Sequence, residues 1–157
     1  MKKRVFSCLL AFVMVVSCFG GMALQSQAAV TPKKAVVKVK KALGDDYRCD
    51  LAYTKEQINR TFGLASSDYS KVYGEGMNII VHVDNILVVK PKKGKATKVK
   101  RALKAYKENE LVMPYPMNVE QINNTRIETI NGYVCYICFP TKSLNNKAIK
   151  TMRKALK

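Results

Sequence analysis

The chain has 157 residues, with 28 Lys and Arg, 11 Asp and Glu, one His, five Cys and no Trp. Its length fits one domain plus a targeting segment, and 48% hydrophobic with 25% charged residues excludes a wholly disordered protein. The formal charge of +17 is the unusual feature. A single His and scattered carboxylates make most metal sites and hydrolase sites hard to assemble, so we expect no cofactor and a non-enzymatic protein.

The first 28 residues have the pattern of an export signal. A basic start, MKKR at 1–4, precedes the apolar run at 5–16. That run is too short to span a bilayer but suits the apolar region of a signal peptide. We therefore expect an extracytoplasmic protein, secreted or associated with the cell envelope, without a transmembrane span in its mature chain.

Two processing sites follow the apolar run. Small residues at Ser26 and Ala28 favour cleavage between Ala28 and Ala29. The sequence VVSC at 15–18 resembles a lipobox instead, in which Cys18 would be lipidated and become the N-terminus. An uncleaved anchor is the third outcome. Cleavage after Ala28 would remove three basic residues and lower the formal charge from +17 to +14.

Residues 29–34 are predicted to be a linker, and residues 35–157 a single domain. Val36, Val39 and Leu43 have helical spacing, and Gly44 behind them predicts the end of a first helix. The same kind of pattern predicts further helices at 55–61, 95–107 and 144–156.

Two strand pairs are predicted, because short β-branched and apolar runs bounded by turn residues are typical of strands. Asn131-Gly132 favours a two-residue type I′ turn, in which both residues need positive φ. Asp84-Asn85 is a weaker turn signal. The predicted pairs are 76–84 with 85–90, and 126–130 with 133–139.

Helices alternating with hairpins favour an α+β domain. We expect an antiparallel sheet of about four strands in two hairpins, with amphipathic helices packed on one face. An imperfect internal repeat is visible, since EQINRT at 56–61 returns as EQINNT at 120–125, and KVKKAL at 38–43 as KVKRAL at 98–103. A structural repeat would make the sheet pseudo-symmetric.

The sequence CYIC at 135–138 has the letters of a redox motif. A redox pair needs its first Cys at a helix N-terminus, whereas these thiols lie in a predicted strand, where residues three apart face opposite sides. We therefore predict cysteines that pack in the core, with a disulfide to Cys49 as the alternative.

The only histidine, His82, is predicted to share a strand face with Asp84. This pair suggests an acid–base role, but a lone His beside a turn is more often exposed or otherwise hydrogen-bonded. No zinc site is predicted, since four converging ligands are missing.

The basic residues form two clusters of nearly one sign. Nine of the eighteen positions 90–107 are Lys or Arg, and the last helix carries a second cluster. Solvent-exposed helix faces usually mix both signs, so these clusters favour a functional field, with a basic surface that only aids solubility as the alternative. Lys dominates, which favours diffuse attraction to a polyanion over base recognition. The predicted contact residues are Lys92, Lys93, Lys95, Lys98, Arg101, Lys104, Lys147, Lys150, Arg153 and Lys154.

Several short stretches between residues 50 and 139 carry a family resemblance. They are LASSDY at 64–69, HVDNILVVK at 82–90, YP at 115–116, NTRI at 124–127 and NGYV at 131–134. In this order they resemble domain of unknown function family 4358. That family usually has Ala-Asp-Glu-Ile in the second stretch, of which Asp84 and Ile86 match directly. The resemblance implies a small exported protein or lipoprotein of low-GC Gram-positive bacteria, without a recognised catalytic motif.

These features together predict an exported, non-enzymatic protein that contacts anionic envelope polymers or lipid headgroups through its basic helices. A module that binds a protein partner is one alternative. A nucleic-acid-binding module is another, disfavoured because Tyr106 is the only aromatic residue within the main basic cluster. An enzyme with an unrecognised site would need a pocket of convergent groups.

Overall fold

A computed structural model describes residues 30–79 and 81–157. The predicted signal segment, with Cys18 and the cleavage site between Ala28 and Ala29, lies outside the described residues. The helices are α1 (Pro32–Leu43), α2 (Lys55–Phe62), α3 (Ala96–Glu110), α4 (Val119–Asn123) and α5 (Lys142–Ala155). The strands are β1 (Leu51–Ala52), β2 (Tyr69–Gly76), β3 (Asn85–Pro91), β4 (Arg126–Ile130) and β5 (Tyr133–Cys138).

The strands form one antiparallel sheet in the order β1-β2-β3-β5-β4, which confirms the α+β class with one strand more than expected. The β4–β5 hairpin is confirmed at its predicted turn, where Asn131 has φ 48° and Gly132 has φ 77°. The two hairpins join through β3 and β5, so these strands are central and bury their side chains on both sides.

Helices cover both faces of the sheet, so the expectation of helices on one face was wrong. On the first face, α1 and α5 pack over Ile86, Val88 and Ile137. On the second face, α2 and α3 pack over neighbouring side chains such as Leu87 and Tyr136. The physical reason is that the central strands are apolar at successive positions, as strands buried on both faces must be.

The first hairpin differs from its prediction. The partner of β3 is β2, with Gly76 opposite Asn85, whereas residues 77–79 and 81–84 form the connection between them. The predicted strand at 76–84 and its tight turn at Asp84-Asn85 were therefore wrong. Asp84 is instead buried in the connection and held there by an ion pair with the partly exposed Arg48.

The helix ends follow from local capping. The Thr31 hydroxyl accepts a hydrogen bond from Lys34 N, and Pro32 begins α1, so the predicted linker ends three residues earlier than expected. Thr54 and Gln57 form a reciprocal capping box at α2, which Gly63 ends in the left-handed conformation. Thr141 caps α5 in the same way as Thr31 caps α1.

The strand order is compatible with a repeat of the two hairpins, whereas the placement of the helices that carry the KVK motif is not. A two-fold axis normal to the sheet, between β3 and β5, would relate the β2–β3 hairpin to the β5–β4 hairpin. Rotation about such an axis maps each face of the sheet onto itself, so two helices that it relates must lie on the same face. The helices that carry the repeated KVK motif, α1 and α3, lie on opposite faces, so this axis does not relate them.

Candidate functional site

The antiparallel strands place the connections at two ends of the sheet. The β4–β5 turn lies at one end, where Asn131 Nδ2 donates to the carbonyl of Leu156 at the end of α5, 3.0 Å away. Beside it, Tyr133 Oη donates to the carbonyl of Val30 at the start of α1, 2.8 Å away. The β3–α3 loop is at the same end. We call this the lysine end, and the opposite end, with the β2–β3 connection, the carboxylate end.

The predicted polyanion-contact residues divide between the lysine end and the middles of two helices. Lys92, Lys93, Lys95 and Lys98 lie in the β3–α3 loop and the first turn of α3, and Arg153 and Lys154 in the last turn of α5. Arg101 and Lys104 lie midway along α3, and Lys147 and Lys150 midway along α5. Since α3 and α5 lie on opposite faces, only the lysine end brings the two clusters together.

Two of these side chains also hold the structure together. Lys98 Nζ donates to both carboxylate oxygens of Asp68, at 2.8 and 2.9 Å. The Lys98 hydrogen bond holds the pKa of the Asp68 carboxyl below its usual range. Arg153 and Arg126 both donate to the Glu128 carboxylate, which ties α5 to β4. Lys98 and Arg153 are therefore less free to contact a ligand than the sequence predicted.

The carboxylates concentrate at the opposite end of the sheet. Eight of the chain's eleven carboxylates lie there. They belong to the segment after α1, the end of β2, the β2–β3 connection, the last turn of α3, and helix α4. They are Asp45, Asp46, Asp50, Glu75, Asp84, Glu108, Glu110 and Glu120. The fold thus separates charge along the strands, although the net charge is strongly positive.

A small polar cavity of about 190 Å³ lies at the carboxylate end. His82 lines it from the β2–β3 connection and not from a strand face, so the predicted strand-face pair with Asp84 is not formed. Arg48 Nη2 donates to Asp84 Oδ2 across 2.7 Å. Burial raises the pKa of the Asp84 carboxyl, and the Arg48 guanidinium opposes this. Asp84 therefore anchors the connection to the segment after α1.

The wall of this cavity is built from two tyrosines. Asn85 Nδ2 donates to Tyr106 Oη, 3.4 Å away. Tyr53 lies over Gly76, where an added Cβ would be 2.0 Å from its hydroxyl oxygen, so only glycine leaves room for that ring. Burial raises the pKa of the neighbouring Glu110 carboxyl. This arrangement can hold a small polar group but presents no activated nucleophile among its described lining residues.

The cysteines pack in the core, as predicted. Cys135 belongs to the first face and Cys138 to the second, and both are free, as is Cys49. Burial raises the pKa of Cys135 to about 12 and of Cys138 to about 11. Such thiols are protonated and inert at neutral pH.

Sequence reasoning missed an exposed apolar loop between α3 and α4. Val112, Met113 and Met117 are 73%, 92% and 72% exposed. The Asn118 side chain joins this loop to the β2–β3 connection through a 2.9 Å hydrogen bond to the Val81 carbonyl. The two prolines of MPYP at 113–116 are typical of a break in a helix and carry no signal of an exposed apolar loop.

Neither a metal site nor a membrane-spanning helix is found in the described part of the chain. Across residues 30–79 and 81–157, no three His, Cys, Asp or Glu side chains are grouped to hold a metal ion. None of the helices in the same ranges combines the length and the apolar character needed to cross a bilayer.

The family model of Domain of unknown function (DUF4358) matches residues 42–139. The chain belongs to this family. No curated protein and no solved structure matches it. The matched range contains the whole sheet with α2, α3 and α4, whereas α5 and nearly all of α1 lie outside it. The DUF4358 match therefore covers the second face completely and leaves the helices of the first face as flanking elements.

Proposed function

We propose that the protein is exported and associates with anionic polymers of the cell envelope through its lysine end. The observation that carries this proposal is the separation of charge along the sheet. The lysine end carries cations from three segments, whereas eight carboxylates lie at the carboxylate end. The three segments are the start of α1, the β3–α3 loop and the end of α5. The export pattern of residues 1–28 supports an extracytoplasmic location.

Charge separation orients the protein on a polyanion. A negative polymer attracts the lysine end and repels the carboxylate end over about 8–10 Å, the screening length at physiological salt. Lys is a flexible, strongly hydrated point charge, which suits a polymer of variable conformation. Contact of this kind releases counterions, so the affinity falls steeply as salt rises.

The experiment compares two double variants of residues 29–157, which contain every element described above. Lys93→Gln with Lys154→Gln removes two exposed cations from the lysine end, and neither side chain has a hydrogen bond or ion pair among the described residues. Lys41→Gln with Lys142→Gln removes the same charge from the carboxylate end and is the matched control. Binding to purified polyglycerol phosphate, a teichoic-type polymer, is measured at low salt for both.

The lysine-end variant should bind several-fold more weakly than the control variant, with a shallower dependence of affinity on salt. Equal weakening in both variants would mean that net charge alone attracts the polymer. Such a result would contradict a role for the lysine end.

A further inference from the structure

A cleft of about 680 Å³ lies along an open edge of the sheet. It follows the outer side of β2, from Tyr69 to Tyr73. The start of α1 forms one wall, at Thr31 and Lys33, and the start of α2 forms the other, at Lys55. Of the predicted polyanion-contact residues, Lys92 alone is among the lining residues of this cleft.

The edge is open because β1 is short. β1 ends at Ala52, opposite Glu75, and the chain turns into α2 at Lys55. The carbonyls of Gly74 and Gly76 point away from β3, toward β1. They accept hydrogen bonds from Tyr53 N and Asp50 N, respectively.

The next outward-facing backbone groups on β2 have no hydrogen bond to another described residue. Backbone groups alternate in direction along a strand, and the register with β3 is unbroken from Lys71 to Gly76. Val72 therefore directs its N–H and its carbonyl to the same outer side as Gly74 and Gly76, past the end of β1. Open edges of this kind accept an extended segment as an added strand.

The charges around the open edge of β2 indicate which kind of extended segment would bind there. Lys33, Lys55, Lys71 and Lys92 line the cleft, and no Asp or Glu is among its described lining residues. Both walls end in helix N-termini, whose dipoles also favour negative charge. Lys33 and Lys55 come from opposite faces of the sheet, so side chains on either side of an added strand would meet a cation.

The geometry points to strand addition by an acidic, extended segment of a partner protein at the outer edge of β2. A second copy of this chain fits poorly, because two such edges would bring their lysines together. The chain's own residues 1–28 fit poorly as well, since they contain three basic residues and no acid. A polymer without a peptide backbone cannot pair with Val72.

The test uses two labelled eight-residue peptides, one alternating Val and Glu and one alternating Val and Lys, with residues 29–157 of the protein. Fluorescence anisotropy measures binding, and the ¹⁵N amide spectrum reports which backbone groups are involved. The acidic peptide should bind at least about tenfold more tightly than the basic one, and the Val72 amide should shift most. The protein should remain monomeric without peptide.

Two variants separate strand addition from general attraction. Val72→Pro removes an outward N–H, a change that edge strands tolerate, although it also alters a half-buried side chain packed on the second face, and should weaken binding roughly fivefold. Lys33→Gln with Lys71→Gln should weaken it as well and covers the case in which Val72→Pro fails to fold. Lys147→Gln with Lys150→Gln, on exposed positions of α5, is the control and should bind normally.

Three results would overturn the proposal. One is equal affinity for the two peptides, another is a Val72 amide that does not respond to the acidic peptide, and the third is equal weakening by the α5 control. None of them bears on the lysine-end variant of the polymer experiment, because Lys93 and Lys154 do not line the cleft.

Discussion

Lys98 and Asp68 join two parts of the chain that are 30 residues apart, with Lys98 Nζ within 2.9 Å of both carboxylate oxygens. Asp68 also accepts a hydrogen bond from Ala65 N, and its backbone carbonyl accepts one from Lys92 N. Asp68 thus fixes the turn before β2 and the first turn of α3 through its buried carboxylate, and the β3–α3 loop through its backbone carbonyl. A side chain predicted to contact a ligand is therefore also a structural cation.

Asp68→Asn should lower the thermal stability, because it keeps the acceptor for Ala65 but removes the charge that Lys98 pairs with. Asp45→Asn, at an exposed position after α1, is the control and should have little effect. Thermal unfolding followed by circular dichroism measures both. Equal melting temperatures for the two variants would contradict the structural role of the ion pair.

The same pair predicts a pH dependence. Because the pKa of Asp68 is lowered in the folded state, its contribution to stability is complete above the unfolded pKa, about 3.9, and is lost as the pH falls through the folded value. The stability difference between the wild type and Asp68→Asn should therefore be largest above about pH 5 and shrink below pH 4. Chemical denaturation at several pH values checks this, and a difference that grows on acidification would contradict it.

Gly132→Val should destabilise the domain by about 1–2 kcal/mol, because a β-branched residue resists the left-handed conformation that Gly132 adopts at φ 77°. An added Cβ would also lie 2.9 Å from Lys90 Nζ. Thr129→Val, at an exposed position of β4, is the control and should change the free energy of unfolding by less than about 0.5 kcal/mol. Urea denaturation measures both, and equal effects would argue against the type I′ turn.

The three buried thiols should not react in the folded protein. Burial raises the pKa of Cys135 to about 12 and of Cys138 to about 11, so thiolate is scarce at pH 8. Labelling of residues 29–157 with an aromatic disulfide reagent should give no rapid signal, and three equivalents after unfolding in guanidinium. A fast equivalent under native conditions would place one thiol at the surface.

The fold could be predicted from the sequence where local chemistry decides it. Asn131-Gly132 set a turn that needs no tertiary support, and Thr54 with Gln57 carries a complete helix start. The first hairpin was mispredicted because β2, YSKVYGEG, has two glycines and no apolar alternation. Contacts with residues distant in the sequence require both glycines. A Cβ at Gly74 would collide with β3, and a Cβ at Gly76 would collide with Tyr53. Contacts of that kind leave no periodic signal in the sequence.

The candidate site was predictable only in part. The lysine clusters were visible in the sequence, and most of their side chains are exposed. Six of the ten predicted residues meet at the lysine end because the strand order brings the start of α3 and the end of α5 to the β4–β5 turn. The ion pair of Lys98 could not be foreseen, because Asp68 is an isolated acid in the sequence and becomes a partner only when α3 packs on the second face.

Co-sedimentation of residues 29–157 with purified Gram-positive cell walls, with and without their teichoic polymers and across a salt series, tests whether charge holds the protein at the envelope. Charge-driven association predicts binding that requires the polymer and falls steeply as salt rises. Binding that persists without the polymer, or no binding at low salt, would contradict charge-driven association with the envelope.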